Sequence, residues 1–357
     1  MSKFWSRAVH ELTPYTPGEQ PQGVGIVKLN TNEHPSGPSP RAVAAIQAAL
    51  NDSLRLYPDP NAQALKNALA QRFELTPSQV FVGNGSDEVL AHVFLGLLKQ
   101  DKPLWLPDIT YSFYPVYCGL YGIEYKKIPL SDDLSIPTND FLPDGDDCAG
   151  AIILANPNAP TGRLLALADI ERLIAGNPNA VVVIDEAYID FGGESAASLI
   201  PKYPNLLVVH TFSKSRALAG LRVGYALGDS TLIEGLERVK NSFNSYPLDR
   251  LAIAGAVASV EDESHFQRAC QQVIHTRERL SQSLSEMGFD VLPSAANFLF
   301  AKHPKHEGAA LAEALRERAI LVRHFDHPRI RDYLRITIGT ENQTAQLVQA
   351  LQNILAS

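Results

Sequence analysis

The sequence predicts an α/β fold: a large domain on a mostly parallel central sheet, followed by a smaller α+β C-terminal domain. Three observations carry this expectation. Short apolar runs, PLWLP, YKKIPL, AGAIILAN, AVVVIDEAY and LLVVHTFSK, stand between residues 103 and 214, with helical patterns such as ALADIERLIAG between several of them. Near-continuous apolar strands separated by helices suit a parallel sheet covered on both faces. Around residue 245 the pattern changes to long helices and then to a smaller set of strands. The length of 357 residues fits two domains at about 100–200 residues each. The expected division is an N-terminal arm at 1–40, a large domain at 41–245 and a small domain at 246–357.

Taken in order, residues 1–40 are rich in Pro and Gly and lack periodicity, as an arm wrapping a body would. PRAVAAIQAALNDSL has helical spacing, with Val43, Ile46, Ala49 and Leu50 on one face. NAQALKNALAQRF repeats the pattern after the turn Tyr57-Pro58-Asp59-Pro60. QVFVGNGSDEVLAHVFLGLL reads as a strand, a Gly-rich turn and a helix, with Ser86 or Asp87 near the cap. Beyond residue 245 come long helices, the strand ANFLFAKH, a helix from Gly308 to Arg318, the strand DYLRITIG and a final helix. The chain shows no internal repeat and no low-complexity segment.

Composition narrows the function. Lys+Arg number 31 against 39 Asp+Glu, a net charge of −8, which leaves no basic footprint for nucleic acid or an anionic membrane. Cys118, Cys148 and Cys270 lie far apart, with no C-x-x-C, as in a reducing compartment. The N-terminal segment is too polar for a signal-peptide core, and no run approaches the roughly 18 apolar residues of a membrane span. A soluble, cytoplasmic protein is expected.

Ligands of open α/β sheets bind outside the carboxyl ends of the strands. AIILA ends in Asn156-Pro157-Asn158-Ala159-Pro160-Thr161-Gly162, AVVVI in Asp185-Glu186-Ala187-Tyr188, and LLVVH in Thr211-Phe212-Ser213-Lys214. If these strands are near neighbours, Asn, Asp, Tyr and Lys converge on one pocket. Alone, Asp185 would more often cap a helix, and Lys214 would more often sit in solvent; together they make a site. No G-x-x-x-x-G-K-[ST], G-x-S-x-G or H-E-x-x-H occurs, and Gly83-Asn84-Gly85 lacks the third glycine of a dinucleotide fingerprint. The pairs His303/His306 and His324/His327 lack an obvious Cys or carboxylate partner and read as surface residues, so no metal is expected.

N-P-N-A-P-T-G, D-E-A-Y, T-F-S-K and A-G-L-R, in that order, resemble the fold type I pyridoxal-phosphate (PLP) aminotransferases. LNTNEHPSGPS, RLYPDP, GNGSDE, SAANFLF and LRITIGT extend the likeness over nearly the whole chain. They make it similar to the histidinol-phosphate aminotransferase group in particular. The resemblance implies PLP in a Schiff base on Lys214, which also moves protons. Asp185 matches the carboxylate that keeps the pyridine nitrogen protonated, and Tyr188 the phenol on the ring hydroxyl. Many relatives carry an assisting Asn directly before the second proline of the turn; Ala159 stands there, and Asn158 is the candidate.

For the cofactor phosphate the resemblance implies Arg222, Thr211 and Ser213. Gly85, Ser86 and Asp87 open a predicted helix whose free N–H groups suit an anion. Tyr111 matches the residue stacked on the ring. Tyr57 matches a tyrosine that reaches the phosphate of a partner subunit, which implies a homodimer with shared active sites. Arg335, inside the apolar strand YLRITIG, would be costly to bury without an anion, although an internal salt bridge is an alternative. In the family it binds the acidic end of the substrate, and Arg323 matches a second arginine for phosphate-bearing substrates. Tyr15 and Asn297 complete the expected pocket. The implied reaction converts L-histidinol phosphate and 2-oxoglutarate to imidazole-acetol phosphate and L-glutamate, a step of histidine synthesis. Alternatives are an aromatic amino-acid aminotransferase, a PLP-dependent threonine-phosphate decarboxylase, or a non-catalytic PLP-binding regulator; the last usually needs a DNA-binding module for which there is no spare length.

Overall fold

The structure is a computed structural model and describes residues 2–21 and 25–356. Its strands are β1 (Val27–Lys28), β2 (Val80–Asn84), β3 (Leu104–Pro107), β4 (Tyr125–Ile128), β5 (Ala151–Ala155), β6 (Val181–Asp185), β7 (Leu206–Thr211), β8 (Val223–Gly228), β9 (Asp290–Val291), β10 (Phe298–Lys302), β11 (Ile320–Leu321), β12 (Arg323–His324) and β13 (Tyr333–Thr337). The helices are α1 (Arg7–Glu11), α2 (Pro40–Ala49), α3 (Gln63–Arg72), α4 (Gly85–Val93), α5 (Tyr114–Tyr121), α6 (Leu167–Gly176), α7 (Ser230–Phe243), α8 (Arg250–Glu261), α9 (Glu263–Glu286), α10 (Gly308–Arg316) and α11 (Glu341–Leu355). None of the described helices is long and apolar enough to cross a membrane.

Seven strands form the large sheet in the order β2-β8-β7-β6-β5-β3-β4. All neighbours are parallel except β8, which runs against both β2 and β7. The apolar runs are continuous because alternate residues serve opposite faces. Ile152, Leu154, Val182, Ile184, Leu206 and Val208 pack toward α3, α6 and α8. Ile153, Val183, Leu207 and Val209 pack toward α4, α5 and α7. At about 25 cal/mol per Å² of apolar surface, each fully buried Val or Ile here contributes roughly 1.5–3 kcal/mol.

The smaller unit carries the antiparallel sheet β12-β13-β10-β9, backed by α9, α10 and α11. The arm is tied to it, because β1 pairs in parallel with β11. Ala252, Ala256 and Val260 of α8 lie in one core with α3 and the large sheet, so that unit's packing extends past residue 245. The small side chains of α8 let it sit close against α2 and α3, which periodicity alone does not reveal. In α2, Val43 and the following Leu50 are exposed, and the buried residue of the helix is Ala42.

Candidate active site

The polar ends of β5, β6 and β7 meet because these strands are adjacent, with Ala155 opposite Asp185 and Asp185 opposite Val209. Beyond the register the loops diverge and a cavity of about 270 Å³ opens. Lys214, Asp185, Tyr188, Thr211, Ser213, Ser86, Asp87, Tyr111, Arg222, Tyr15, Arg323 and Arg335 all line it. Of the side chains expected to converge, Asp185, Tyr188 and Lys214 meet in this cavity, and Asn158 does not.

At one end, α4 begins against the cavity, and its first-turn N–H groups have no partner within the helix. Gly85 has φ +77°, and a Cβ there would lie 2.4 Å from Arg222 Nη2. The missing side chain leaves room for the guanidinium, which donates to Asp87 Oδ2 at 2.8 Å. Gly224 serves from behind: its Cβ would lie 2.4 Å from the Ser86 backbone nitrogen. The Thr211 and Ser213 hydroxyls lie 3.0 Å apart beside this turn. A helix start, a guanidinium and paired hydroxyls make a cup for a phosphate.

At the floor, the Asp185 carboxylate is buried and accepts from Tyr114 Oη at 2.8 Å and from the Ala187 N–H at 3.3 Å. Burial pushes its pKa up to about 6, against the lowering effect of those two donors and of His210. No ion pair of Asp185 occurs among the described residues. Lys214 Nζ donates to the Thr31 carbonyl at 3.2 Å and lies 5.7 Å from the Tyr188 ring centroid.

The far end is cationic. Arg335 is wedged between the rings of Phe298 and Phe325, each 5.4 Å from its guanidinium carbon. It donates to the Asn30 carbonyl at 3.0 Å, and its Nε is buried without a partner. Burial first, with Arg323 adding to it, holds its pKa below the ordinary arginine range. The internal salt bridge that sequence left open is absent among the described residues. Tyr15 closes this side, its ring 4.8 Å from that of Phe113.

Three expected site residues stand elsewhere. Asn158 is fully buried and its amide donates to the Ile109 carbonyl at 3.0 Å and to Thr161 Oγ1 at 3.1 Å. The turn aims that side chain into the protein, and Ala159 and Pro160 face the cavity instead. Asn297 also lies behind the wall, donating to the Asn32 carbonyl at 3.0 Å. Tyr57 is 80% exposed and stacks on Tyr246, away from the cavity of its own chain. Sequence reading missed Tyr114 and Asn32. Tyr114 was hidden in the aromatic stretch YSFYPVY; the polar run LNTN between apolar segments was the available signal for Asn32.

A helix start with a guanidinium and paired hydroxyls, a lysine, a buried carboxylate and an arginine pair around one cavity are the groups that an enzyme handling anionic amines or oxo compounds with a phosphorylated cofactor needs. The aminotransferase class I and II family matches residues 24–351, and the chain belongs to that family. It is 66% identical over 355 residues to the histidinol-phosphate aminotransferase of Aromatoleum aromaticum, covering 99% of this chain and 100% of the relative. It is 62% identical to histidinol-phosphate aminotransferase 2 of Dechloromonas aromatica, covering 99% of both. Its fold matches the crystal structure of histidinol-phosphate aminotransferase from Sinorhizobium meliloti in complex with pyridoxal-5'-phosphate. That match has a TM-score of 0.88 at 23% identity and covers 100% of this chain and 98% of the other.

Proposed function

We propose that this chain is a PLP-dependent histidinol-phosphate aminotransferase, moving the amino group of L-histidinol phosphate to 2-oxoglutarate. The observation that carries the reading is the pair Arg323 and Arg335, neither in an ion pair among the described residues, at the end of the cavity that also holds Lys214 and Asp185. Two guanidinium groups suit a phosphate dianion better than a single carboxylate.

The residues present fit PLP. The buried Asp185 carboxylate, in no ion pair among the described residues, suits a protonated ring nitrogen, and the cup at α4 suits the cofactor phosphate. Tyr111, half-buried with its ring 5.5 Å from that of Tyr114, offers a ring face to stack on. When bound, PLP supplies the carbonyl that takes the amino group and the ring that withdraws electrons from the substrate Cα. Lys214 Nζ anchors the cofactor and, once released, carries the proton away from Cα. Asp185 holds a proton at the ring nitrogen. Arg335 and Arg323 grip the acidic end of each substrate, phosphate in one half-reaction and carboxylate in the other. An adjoining cavity of about 470 Å³, sharing Tyr15, Tyr111, Arg323 and Phe325, leaves room for the rest of the donor.

The same reading makes the protein a cytoplasmic homodimer. Its three cysteines are free, as in a reducing compartment. Val43, Leu50, Leu54, Leu56, Tyr57 and Tyr246 are exposed together around α2 and the following turn, an apolar face suited to a second copy. That copy is what would bring Tyr57 to a neighbouring cavity.

The test is a half-reaction screen. The PLP-loaded protein is mixed with L-histidinol phosphate, phenylalanine or threonine phosphate, and conversion to pyridoxamine phosphate is followed by absorbance. Fast conversion by histidinol phosphate, reversed by 2-oxoglutarate, supports the reading. Conversion by phenylalanine alone, or release of carbon dioxide from threonine phosphate, overturns it.

A further inference from the structure

Asn32 is buried in the left-handed backbone region, φ 55°, which asparagine tolerates better than most residues. Its N–H donates to Thr337 Oγ1 at 3.0 Å, and the threonine hydroxyl in turn donates to Asn32 Oδ1 at 3.0 Å. The carboxamide orientation is fixed by that exchange, so Nδ2 is the atom that meets Tyr188 Oη, at 3.0 Å. A phenol oxygen that accepts from Nδ2 must send its own hydrogen elsewhere. Tyr188 lines the cavity, and its hydroxyl has no acceptor among the described residues. The neighbouring wall, Ala159 and Pro160, carries no side-chain donor. Thr337 lies two residues beyond Arg335 on β13, so one face of one strand supports both the arginine and this chain of hydrogen bonds.

We propose that Asn32 is a positioning residue that fixes the Tyr188 hydroxyl as a donor into the cavity, toward the ring oxygen of the cofactor. The proposal rests on reading the cavity as a PLP site. Lys214 and Arg335 are charged groups close to Tyr188, and among the described residues neither hydrogen-bonds its oxygen. Asn32 thus compensates for the absence of a polar side chain at Ala159.

The test compares Asn32→Gly, Asn32→Asp, Tyr188→Phe and the double variant Asn32→Gly/Tyr188→Phe. Glycine keeps the backbone conformation and removes only the side chain. Aspartate keeps the Thr337 contact but has no N–H, so it draws the phenol hydrogen out of the cavity. The readouts are the affinity of the cofactor-free protein for added PLP, the pH midpoint of the near-visible absorbance of the loaded protein, and kcat against KM. Asn32→Gly should weaken PLP binding about tenfold and shift the midpoint. Asn32→Asp should do more, although it preserves the Thr337 bond. In the Tyr188→Phe background, Asn32→Gly should change little, within about twofold. Equal losses in both backgrounds, or wild-type behaviour of Asn32→Asp, overturn the proposal. Wild-type protein that takes up no PLP overturns the cofactor reading itself, and this proposal with it.

Discussion

Arg323 and Arg335 are register partners across the antiparallel pair β12–β13, and neither forms an ion pair among the described residues. Like charges facing each other weaken a strand pair, and the partial burial of Arg335 adds a desolvation cost. The arrangement makes physical sense when an anion with more than one charge sits between them.

Substituting Arg323→Ala should therefore lower kcat/KM for histidinol phosphate by about 30- to 100-fold, the loss of a charge-assisted hydrogen bond. Phenylalanine turnover should fall far less. The cofactor-free variant should also gain less in melting temperature from added inorganic phosphate than wild type does. Steady-state kinetics with both donors and thermal unfolding check this; equal losses for both donors would remove the phosphate argument.

Asp185 couples function to stability through pH. Its pKa rises from 3.8 in the open chain to about 6 in the cofactor-free protein. Between those values the folded state binds more protons than the unfolded state. Stability from this group therefore falls as pH rises from about 4 to about 6, by on the order of 3 kcal/mol. Asp185→Asn should relieve that cost, melting higher than wild type above pH 6 without cofactor while losing nearly all turnover. Tyr114→Phe should act in the opposite sense, raising the Asp185 pKa further and weakening PLP binding near neutral pH. Apoprotein melting curves across pH 4–8 and cofactor titrations measure both effects.

Gly224→Ala tests the phosphate cup from behind. The new Cβ would meet backbone atoms of Gly85 and Ser86, which cannot swing aside as a flexible side chain can. Moving the α4 start should weaken PLP binding at least about tenfold, with a stability loss of about 1–3 kcal/mol. Equilibrium dialysis of the cofactor and denaturant melts separate the two effects.

Much of the fold was legible because strand ends are marked by polar residues after apolar runs. Asp185 and Lys214 could be placed together from that alone, and the adjacency of β5, β6 and β7 completes the inference. Contacts over long sequence separations were not legible. Tyr114 reaches Asp185 across 71 positions and Thr337 reaches Asn32 across 305. Asn158 misled because a side chain inside a turn follows the turn's geometry rather than the direction of the strand before it. Val43 and Leu50 share the apolar face that the spacing marks, and both are exposed within this chain, because an apolar helix face need not be buried by its own chain.

Lys214 is the residue on which the cofactor chemistry turns. Borohydride reduction of the PLP-loaded protein, followed by peptide mapping, should place the pyridoxyl label on the peptide containing Lys214, and Lys214→Ala should carry none. A label on another lysine, or covalent retention of PLP by the Lys214→Ala protein, would contradict it.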